Sequence, residues 1–273
     1  MRTLAIVNMK GGVGKTTTAV HVAAGFAARG LRTLLVDADP QGNVGHVLGV
    51  TASATIREVL LGEVPAAEAV VPDVRPGLSV IISTPAAFAL DSVLAGTVQR
   101  ETLMARRLQP LPGFDVLVID SSPAMSLLTY NALLLAEELI VPVGMDAMAI
   151  VGARQTLDGV REIRALWPDR RLDLAAVLPV CVNTQTHATR AALEALQQDP
   201  EMAPRVFQPG IRQCLDLTYA AAAHQTIWEY APKSRAAEDY EALVRWLLQA
   251  GLDDQEMTKD GEEIPADVQR AVH

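Results

Sequence analysis

Short runs of apolar residues recur along the chain, separated by segments in which apolar residues follow a helical spacing. The apolar runs are rich in Val, Ile and Leu and do not alternate with polar residues, which is typical of strands buried on both faces of a parallel sheet. They predict strands at 4–7, 34–36, 78–82, 116–119, 139–143, 175–182 and, more weakly patterned, 206–207.

The segments with helical spacing lie between these strands. They predict helices over 15–29, 54–61, 86–108, 125–137, 148–166, 188–198, 215–224 and 235–250. This alternation predicts an α/β fold, in which helices flank a doubly wound, mostly parallel sheet. No linker rich in Gly, Pro or Ser divides the chain, so residues 1–250 are expected to form one domain.

Charge is unevenly distributed along the 273 residues, whose net charge is −9. Residues 251–273 contain seven acidic side chains against Lys259 and Arg270, and they lack apolar periodicity. This composition predicts an acidic, disordered C-terminal tail. The remainder of the chain is also acidic overall, so bulk charge does not indicate a nucleic-acid-binding domain.

Composition narrows the function classes further. Half of the residues are hydrophobic, which excludes intrinsic disorder, and no apolar run reaches the roughly 18 residues of a transmembrane helix. The first residues enter a strand-like segment without signal-peptide features, which predicts a cytoplasmic protein. Cys181 and Cys214 fit reduced thiols, and the cysteines and histidines lack the spacing of a metal site.

A glycine-rich segment, NMKGGVGKTTT at residues 8–18, joins the first strand to the first helix. Glycines let consecutive N–H groups point inward, where the start of a helix adds partial positive charge. In this pattern Lys15 reaches the β- and γ-phosphates and the Thr16 hydroxyl binds Mg²⁺, which predicts a P-loop NTPase-type fold. The strict pattern has Gly six positions before Lys15, where this chain has Met9, and an additional lysine follows at Lys10.

Three motifs together resemble those of the deviant-Walker-A ATPases of the ParA/Soj/MinD group. KGGVGKTTTA at 10–19 includes that group's additional lysine, LLVDADPQGN at 34–43 is similar to its second motif, and VLVIDSSP at 116–123 is similar to its Walker B strand and switch. The resemblance covers residues 3–250 and is nearest to the ParA/Soj partition branch. It implies an Mg²⁺-dependent ATPase that converts ATP and water to ADP and phosphate.

The resemblance and the chemistry of phosphoryl transfer assign most roles. The expected nucleotide-binding residues are Lys10, Gly11, Gly12, Val13, Gly14, Lys15, Thr16, Thr17 and Asn183. Asp120 ends a buried strand, where nucleotide sites form, and is expected to hold Mg²⁺ through water with Thr16 and Asp37. A helix-capping role is the alternative for Asp120. The resemblance implies that Asp39 orients the attacking water, and a plain turn at 39–42 is the alternative.

The additional lysine implies a dimer. In the family this lysine crosses the dimer interface and contacts the partner's ATP. The dimer thereby supplies each site with a cation from the other subunit. Lys10, Lys15 and Asp39 are therefore the expected catalytic residues, and a homodimer is the expected ATP-bound state. A solvated loop lysine is the alternative for Lys10.

The adenine pocket is less well specified. Asn183 follows a strand at a position where relatives place an adenine-contacting residue, and a simple loop amide is the alternative. Relatives often have Ile-Pro-Arg-Asn near Ile211, whereas this chain has IRQC at 211–214. The sequence therefore leaves the second side of the base pocket open.

The function implied by the resemblance is an ATP-dependent switch that partitions or positions DNA or another large cargo. A ParB-like or adaptor protein would stimulate its slow hydrolysis. Relatives bind DNA without sequence preference through C-terminal arginines, and the candidates here are Arg190, Arg212, Lys233 and Arg235. Asp216 argues against DNA binding, because Soj-type relatives carry an arginine at this position. A solvated surface of mixed charge is the alternative.

Three other functions of the superfamily stay open. A MinD-like regulator at the membrane surface would carry a basic amphipathic C-terminal helix, whereas acidic residues follow the amphipathic segment 240–248 here. We expect no membrane insertion. A metal-cluster carrier would need closely spaced interface cysteines, which Cys181 and Cys214 do not supply. A ParA-like positioner of a protein assembly would share every nucleotide-site motif.

Overall fold

The computed structural model describes residues 1–109 and 111–258, and this part of the chain forms an eight-stranded sheet. Its strands are β1 (Arg2–Ile6), β2 (Thr33–Ala38), β3 (Val71–Arg75), β4 (Leu78–Ile81), β5 (Val116–Ser121), β6 (Glu138–Gly144), β7 (Asp173–Val182) and β8 (Ile211–Arg212). The predicted strands from 4–7 to 175–182 are confirmed, with small shifts of their ends.

The strand order is β3-β4-β2-β5-β1-β6-β7-β8, and every neighbouring pair is parallel except β3 with β4. This confirms the predicted doubly wound, mostly parallel sheet. β1 lies between β5 and β6; the sheet continues through β6, β7 and β8 on one side and through β5, β2, β4 and β3 on the other. In such sheets ligands bind beyond the carboxyl ends of the strands, where the order reverses.

Helices cover both faces of the sheet. They are α1 (Lys15–Ala27), α2 (Asn43–Leu48), α3 (Ile56–Leu61), α4 (Ala66–Ala69), α5 (Leu90–Val93), α6 (Leu103–Leu108), α7 (Leu127–Leu135), α8 (Ala147–Leu166), α9 (His187–Gln198), α10 (Asp216–Ala222), α11 (Ile227–Tyr230) and α12 (Arg235–Thr258). Apolar residues of α1, α2, α10, α11 and α12 form one core cluster, and those of α3 to α9 form the other. Because both faces are covered, the central strands are mostly apolar. No helix in the described ranges is long and apolar enough to cross a membrane.

The predicted continuous helix over 86–108 is wrong. The structure has 3-10 helices at Pro85–Ala89 and Arg100–Thr102, with α5 between them and α6 after them. Gly96 lies in the gap after α5, and glycine disfavours a helix interior. Gln99 adopts a left-handed conformation with a φ of 55°, which a helix cannot pass through.

The two edges of the sheet also differ from the prediction. The strand expected at 206–207 is reduced to a single bridge between Val206 and Val177, and β8 forms the edge instead. The opposite edge, β3, was not predicted, because its residues are partly exposed and include a proline, which edge strands tolerate.

The last helix continues past the expected domain end at residue 250. α12 extends to Thr258, so the first part of the segment predicted to be a disordered tail is helical. Gly251 costs about 1 kcal/mol relative to Ala in a helix interior, which a long helix tolerates. The rest of the predicted tail, 259–273, lies outside the described residues.

Candidate functional site

The loop after β1 presents main-chain N–H groups at the start of α1. Gly12 and Gly14 are left-handed, with φ of 73° and 71°, a conformation that favours glycine. Gly14 is the N-cap of α1, and no side chain caps the helix. A Cβ atom on either glycine, or on Gly11, would meet nothing within 4 Å, so the loop borders open space. Uncapped N–H groups and the helix dipole together attract an anion.

Lys15 lies inside this loop. Its Nζ donates to the carbonyl oxygen of Lys10 at 2.9 Å, and the residue is only 7% exposed. Burial lowers the pKa of the Lys15 ammonium, whereas the nearby carboxylates of Asp120 and Asp39 raise it. The structure therefore places a cation where the loop turns its N–H groups inward.

Thr16 and Asp120 are in contact at the base of the loop. The Thr16 hydroxyl donates to Asp120 Oδ2 at 2.6 Å. Asp120 Oδ1 is buried and has no hydrogen-bond partner among the described residues. A buried polar atom without a partner is costly, and a hydrated cation would satisfy it. This orphaned oxygen beside a threonine hydroxyl fits a Mg²⁺ site, and it does not fit the alternative of a helix-capping Asp120.

Asp37 adds a second carboxylate to this site. It lies opposite Asp120 on the adjacent strand β2, and both residues are fully buried. Burial raises the pKa of Asp37 to about 7. Burial and the charge of Asp37 together raise the pKa of Asp120. Two buried carboxylates this close ionise together only when a cation compensates them.

The ligand set available to such a cation is incomplete without a nucleotide. In the described ranges no group of three or more His, Cys, Asp or Glu side chains is placed to hold a metal ion by itself. Mg²⁺ keeps several waters and binds through few protein ligands plus substrate phosphates. The Thr16 hydroxyl and water-bridged Asp37 and Asp120 match that requirement.

Asp39 follows β2 in a tight turn. Its N–H donates to Asp37 Oδ1 at 2.9 Å, and its own Oδ1 accepts from the Gln41 N–H at 2.9 Å. Gly42 ends the turn with a φ of 69°, and a Cβ there would lie 2.7 Å from the Ser83 carbonyl oxygen. The turn that was the alternative for 39–42 is therefore present. The turn holds a nearly buried Asp39 carboxylate.

The Lys10 side chain reaches the start of α8. Its Nζ donates to Asp146 Oδ1 at 2.7 Å and to Oδ2 at 2.8 Å. Asp146 is the N-cap of α8 and accepts from the Ala149 N–H at 2.9 Å. The hydrogen bond from Lys10 lowers the pKa of Asp146. Lys10 is thus an ion-paired side chain near the surface and not a freely solvated one.

Two cavities lie at the carboxyl ends of β7 and β8. The first, of about 460 Å³, adjoins the phosphate loop at Gly12, Gly14 and Thr17, and it is the candidate space for a nucleotide base. The second, of about 510 Å³, is bordered by Asn183 and Gln213, and Gln213 also borders the first. The Nδ2 of Asn183 lies 3.4 Å from Gln213 Oε1. Asn183 therefore borders the neighbouring cavity and reaches the first through Gln213.

Several residues that border the first cavity could not be predicted from the sequence. Cys181, Leu215 and Tyr240 border it, although each lies in an apolar pattern typical of core residues. Cys181 departs most from the pattern: it is exposed and left-handed, with a φ of 56°, inside a buried strand. Asp146 was missed as well, because nothing in the sequence links it to Lys10.

Arg212, predicted to bind DNA, is held by carboxylates of α12. Its Nη2 lies 2.7 Å from Asp239 Oδ1 and 3.0 Å from Glu238 Oε2. These hydrogen bonds raise the pKa of Arg212. Its charge is compensated within the protein, and the Asp239 carboxylate that it pairs is only 4% exposed.

The other predicted DNA-binding residues are exposed. Arg190 on α9 donates to the Thr184 carbonyl oxygen, and Arg235 borders the Asn183 cavity. Lys233 lies in the connection before α12. Asp216 begins α10 and accepts from the Cys214 thiol. The basic residues therefore lie on separate elements, with acidic side chains nearby.

The open glycine loop, Lys15 and the Thr16–Asp120 contact lie at the reversal point of a parallel sheet, and together they define a P-loop nucleotide-binding protein. A family model described as an AAA domain matches residues 1–172. The chain is 36% identical over 251 residues to the chromosome-partitioning ATPase Soj of Thermus thermophilus, covering 91% of this chain and 96% of that protein. It is 33% identical over 254 residues to the chromosome partitioning protein ParA of Myxococcus xanthus, with coverage of 90% and 88%. The chain belongs to the ParA/Soj family of P-loop ATPases.

A solved structure supports the same fold. The cobyrinic acid a,c-diamide synthase of Mycobacterium smegmatis, solved with bound ADP and magnesium, superimposes with a TM-score of 0.79. It is 29% identical, and the match covers 97% of this chain and 99% of that one. A nucleotide and a magnesium ion therefore bind to a protein of closely similar fold.

Proposed function

We propose that this protein is a Mg²⁺-dependent ATPase that dimerises when it binds ATP and thereby positions a large cargo. The observation that carries the proposal is the Thr16–Asp120 contact beside the open loop. Among the described residues it leaves Asp120 Oδ1 buried and without a hydrogen-bond partner, at the place where a nucleotide-bound cation would lie. The family membership and the magnesium-containing neighbour support the same chemistry.

The chain's own groups neutralise and orient the phosphates. The N–H groups of residues 11–16 surround them, and Lys15 exchanges its bond to the Lys10 carbonyl for the β- and γ-phosphate oxygens. Thr16 with water-bridged Asp37 and Asp120 would hold Mg²⁺, which supplies charge neutralisation on the transferring phosphoryl group. Asp37 and Asp120 are then both ionised, because a cation compensates them.

Asp39 orients the attacking water. Phosphoryl transfer requires an in-line nucleophile and little covalent chemistry from the protein. The Asp39 carboxylate is fixed by the turn that its own Oδ1 forms with the Gln41 N–H. Its second oxygen is then available to a water on the phosphate side of the loop. This role predicts that loss of the carboxylate slows hydrolysis and spares ATP binding.

Lys10 acts across a dimer interface. In the single chain its ammonium is paired with Asp146. It reaches a transferring phosphate only when a second subunit is placed against this surface. Two exposed apolar side chains, Met148 and Val151, lie beside it on α8 and fit such a face. Hydrolysis is therefore coupled to assembly, as with a finger supplied in trans.

The names of the relatives support a proposal for the cargo. Those named above are chromosome-partitioning proteins, so we infer that the ATP-bound dimer partitions DNA or a comparable large cargo. A ParB-like or adaptor protein would stimulate its slow hydrolysis. The surface, or matrix, to which the dimer binds is non-specific DNA, and Arg190, Lys233 and Arg235 contact its phosphates.

A second candidate is the positioning of a protein assembly on a different matrix. Two observations favour it: carboxylates compensate Arg212, and Asp216 adds negative charge near the same surface. The nucleotide chemistry would be identical in both cases. Only the surface that the dimer binds would differ.

Phosphate release from ATP tests the enzymatic proposal. The wild-type chain should release phosphate slowly with Mg²⁺, and EDTA should stop the reaction. Lys15→Ala should abolish it, because the cation on the phosphates is lost. Arg106→Ala on α6 removes an exposed cation far from the loop and should leave turnover unchanged. Phosphate release that persists in Lys15→Ala would contradict the assigned site.

A further inference from the structure

The residue that departs from the strict loop pattern, Met9, is held by a distant helix. The Met9 N–H donates to the Thr156 hydroxyl oxygen at 3.0 Å, and Thr156 lies in the middle of α8. The neighbouring Lys10 N–H donates to Asn8 Oδ1 at 2.8 Å, and Asn8 is itself anchored to the Pro142 carbonyl oxygen. Both amides that precede the Lys10 side chain are therefore held by side chains.

The Thr156 hydroxyl is oriented for this contact. It donates its single proton to the Gly152 carbonyl oxygen at 2.8 Å, one turn earlier in α8. Because a hydroxyl has one proton and two lone pairs, this bond leaves a lone pair for the Met9 N–H. Thr156 is 1% exposed, so water does not replace the bond.

Gly152 lets α8 approach the loop closely. A Cβ at this position would lie 3.1 Å from Lys10 Cβ and 3.1 Å from Asn8 Oδ1. Those separations are tighter than ordinary van der Waals contact, so an alanine here would displace Lys10 by a few tenths of an ångström. The side chain of Lys10 then runs along the same helix to Asp146 at its N-terminus.

We propose that Thr156 and Gly152 are positioning residues that fix the main chain at Lys10. The base of the Lys10 side chain is held against α8 while its ammonium exchanges Asp146 for a partner's nucleotide. The inference rests on the trans role of Lys10 given under the proposed function. The inference gives α8 the role of aligning the cation that is supplied in trans. A misplacement of a catalytic group by about 1 Å lowers the reaction rate about a hundredfold.

Substitutions at Thr156 separate this role from general packing. Thr156→Val removes the hydroxyl at nearly constant shape, and Thr156→Ser keeps it. Both are made in an Asp39→Ala background, and dimerisation is followed by light scattering as Mg-ATP is added. The valine variant should need about tenfold more ATP for half-dimerisation, whereas the serine variant should behave as the parent. Binding of a fluorescent ATP analogue to the monomer should change little in either. Equal dimerisation of the valine and serine variants would overturn the proposal.

Two glycines of α8 supply a matched pair. Gly152→Ala should weaken ATP-driven dimerisation, although alanine favours a helix interior and should preserve folding. Gly159→Ala is the control, because its Cβ would meet only the end of the Met125 side chain, at 3.4 Å. An equal change in the ATP concentration for half-dimerisation in both variants, or no change in either, would contradict a specific role for Gly152. These two glycine variants also test the positioning role if Thr156→Val fails to fold.

Hydrogen exchange distinguishes a failure of this inference from a failure of the proposed function. In Thr156→Val without nucleotide, the Met9 amide should exchange about tenfold faster, with the amides of β1 and α1 unchanged. Unchanged exchange at Met9 would show that Thr156 does not hold the loop. If the Asp39→Ala parent stays monomeric with ATP, the dimer proposal fails on its own, and Met9 exchange alone decides whether Thr156 positions the loop.

Discussion

The ammonium group of Lys10 lies 2.7 and 2.8 Å from the two carboxylate oxygens of Asp146 in the same chain. In the proposed dimer this ammonium contacts the partner's nucleotide, so the pair must break on assembly. About half of the Asp146 side chain is exposed, and solvent screening makes such pairs weak. Asp146 is therefore a mild competitor for Lys10 in the monomer.

Removing the charge of Asp146 should favour the dimer. Asp146→Asn keeps the helix N-cap, since asparagine caps as well as aspartate, but loses the ion pair with Lys10. In an Asp39→Ala background, half-dimerisation should occur at up to about fivefold lower ATP concentration by light scattering. Asp146→Ala serves as the control that also loses the cap and so lowers thermal stability. A higher ATP requirement in Asp146→Asn would contradict the competition.

Non-specific DNA binding should depend on exposed cations and not on Arg212. The ATP-bound Asp39→Ala dimer should shift random duplex DNA at about 50 mM salt, and raising the salt to about 200 mM should weaken binding at least tenfold. Arg190→Glu and Lys233→Glu together should abolish the shift and leave dimerisation intact. Arg212 is an unsuitable target, because its loss would leave the buried Asp239 carboxylate uncompensated. If ATP causes no greater shift of the DNA than ADP does, DNA is excluded as the matrix.

His21 links the loop helix to the C-terminal layer in its neutral form. Its Nδ1 bonds the Thr17 carbonyl oxygen at 2.7 Å, while Nε2 accepts from the Ile227 N–H at 2.9 Å. The ring stacks on Tyr240 with centroids 4.6 Å apart. Burial lowers the pKa of His21 to about 4, although the hydrogen bond to the Thr17 carbonyl oxygen and the charge of Glu229 act in the opposite direction. Protonation would add a second donor at Nε2, where the Ile227 N–H already donates.

Stability should therefore fall in mildly acidic solution. The pKa of His21 lies below its unfolded value, so its contribution is complete above about pH 6.5 and is lost progressively as the pH falls toward 4. The loss is on the order of 3 kcal/mol. Urea unfolding of the wild type and of His21→Gln at several pH values checks this, because the difference between the two curves removes other titrating groups. A difference independent of pH between 6.5 and 4 would contradict the assignment.

The central fold and the phosphate loop were predictable because their signals are local. β1, β2 and β5 each contain a continuous apolar run that is buried on both faces, and the loop requires glycines at the left-handed positions Gly12 and Gly14. The carboxylates Asp37 and Asp120 lie next to the ends of the paired strands that bring them together. Each of these features is specified within a few neighbouring residues.

The features that could not be predicted depend on contacts between distant parts of the chain. The Met9–Thr156 hydrogen bond and the Lys10–Asp146 pair each join residues more than a hundred positions apart, and neither Thr156 nor Asp146 belongs to a motif. The expected helix over 86–108 failed because Gln99 adopts a left-handed conformation that its residue type does not indicate. Arg212 was predicted to contact DNA, whereas α12 brings Asp239 against it.

The mass of the Asp39→Ala protein with saturating Mg-ATP tests the central claim most directly. If Asp39 orients the water and does not bind ATP, this variant should keep its nucleotide and elute as a dimer in size-exclusion chromatography with light scattering. It should be a monomer with ADP, and the added substitution Lys10→Ala should return it to a monomer with ATP. A strictly monomeric Asp39→Ala protein in saturating Mg-ATP, or a dimer that forms equally well with ADP, would contradict the account.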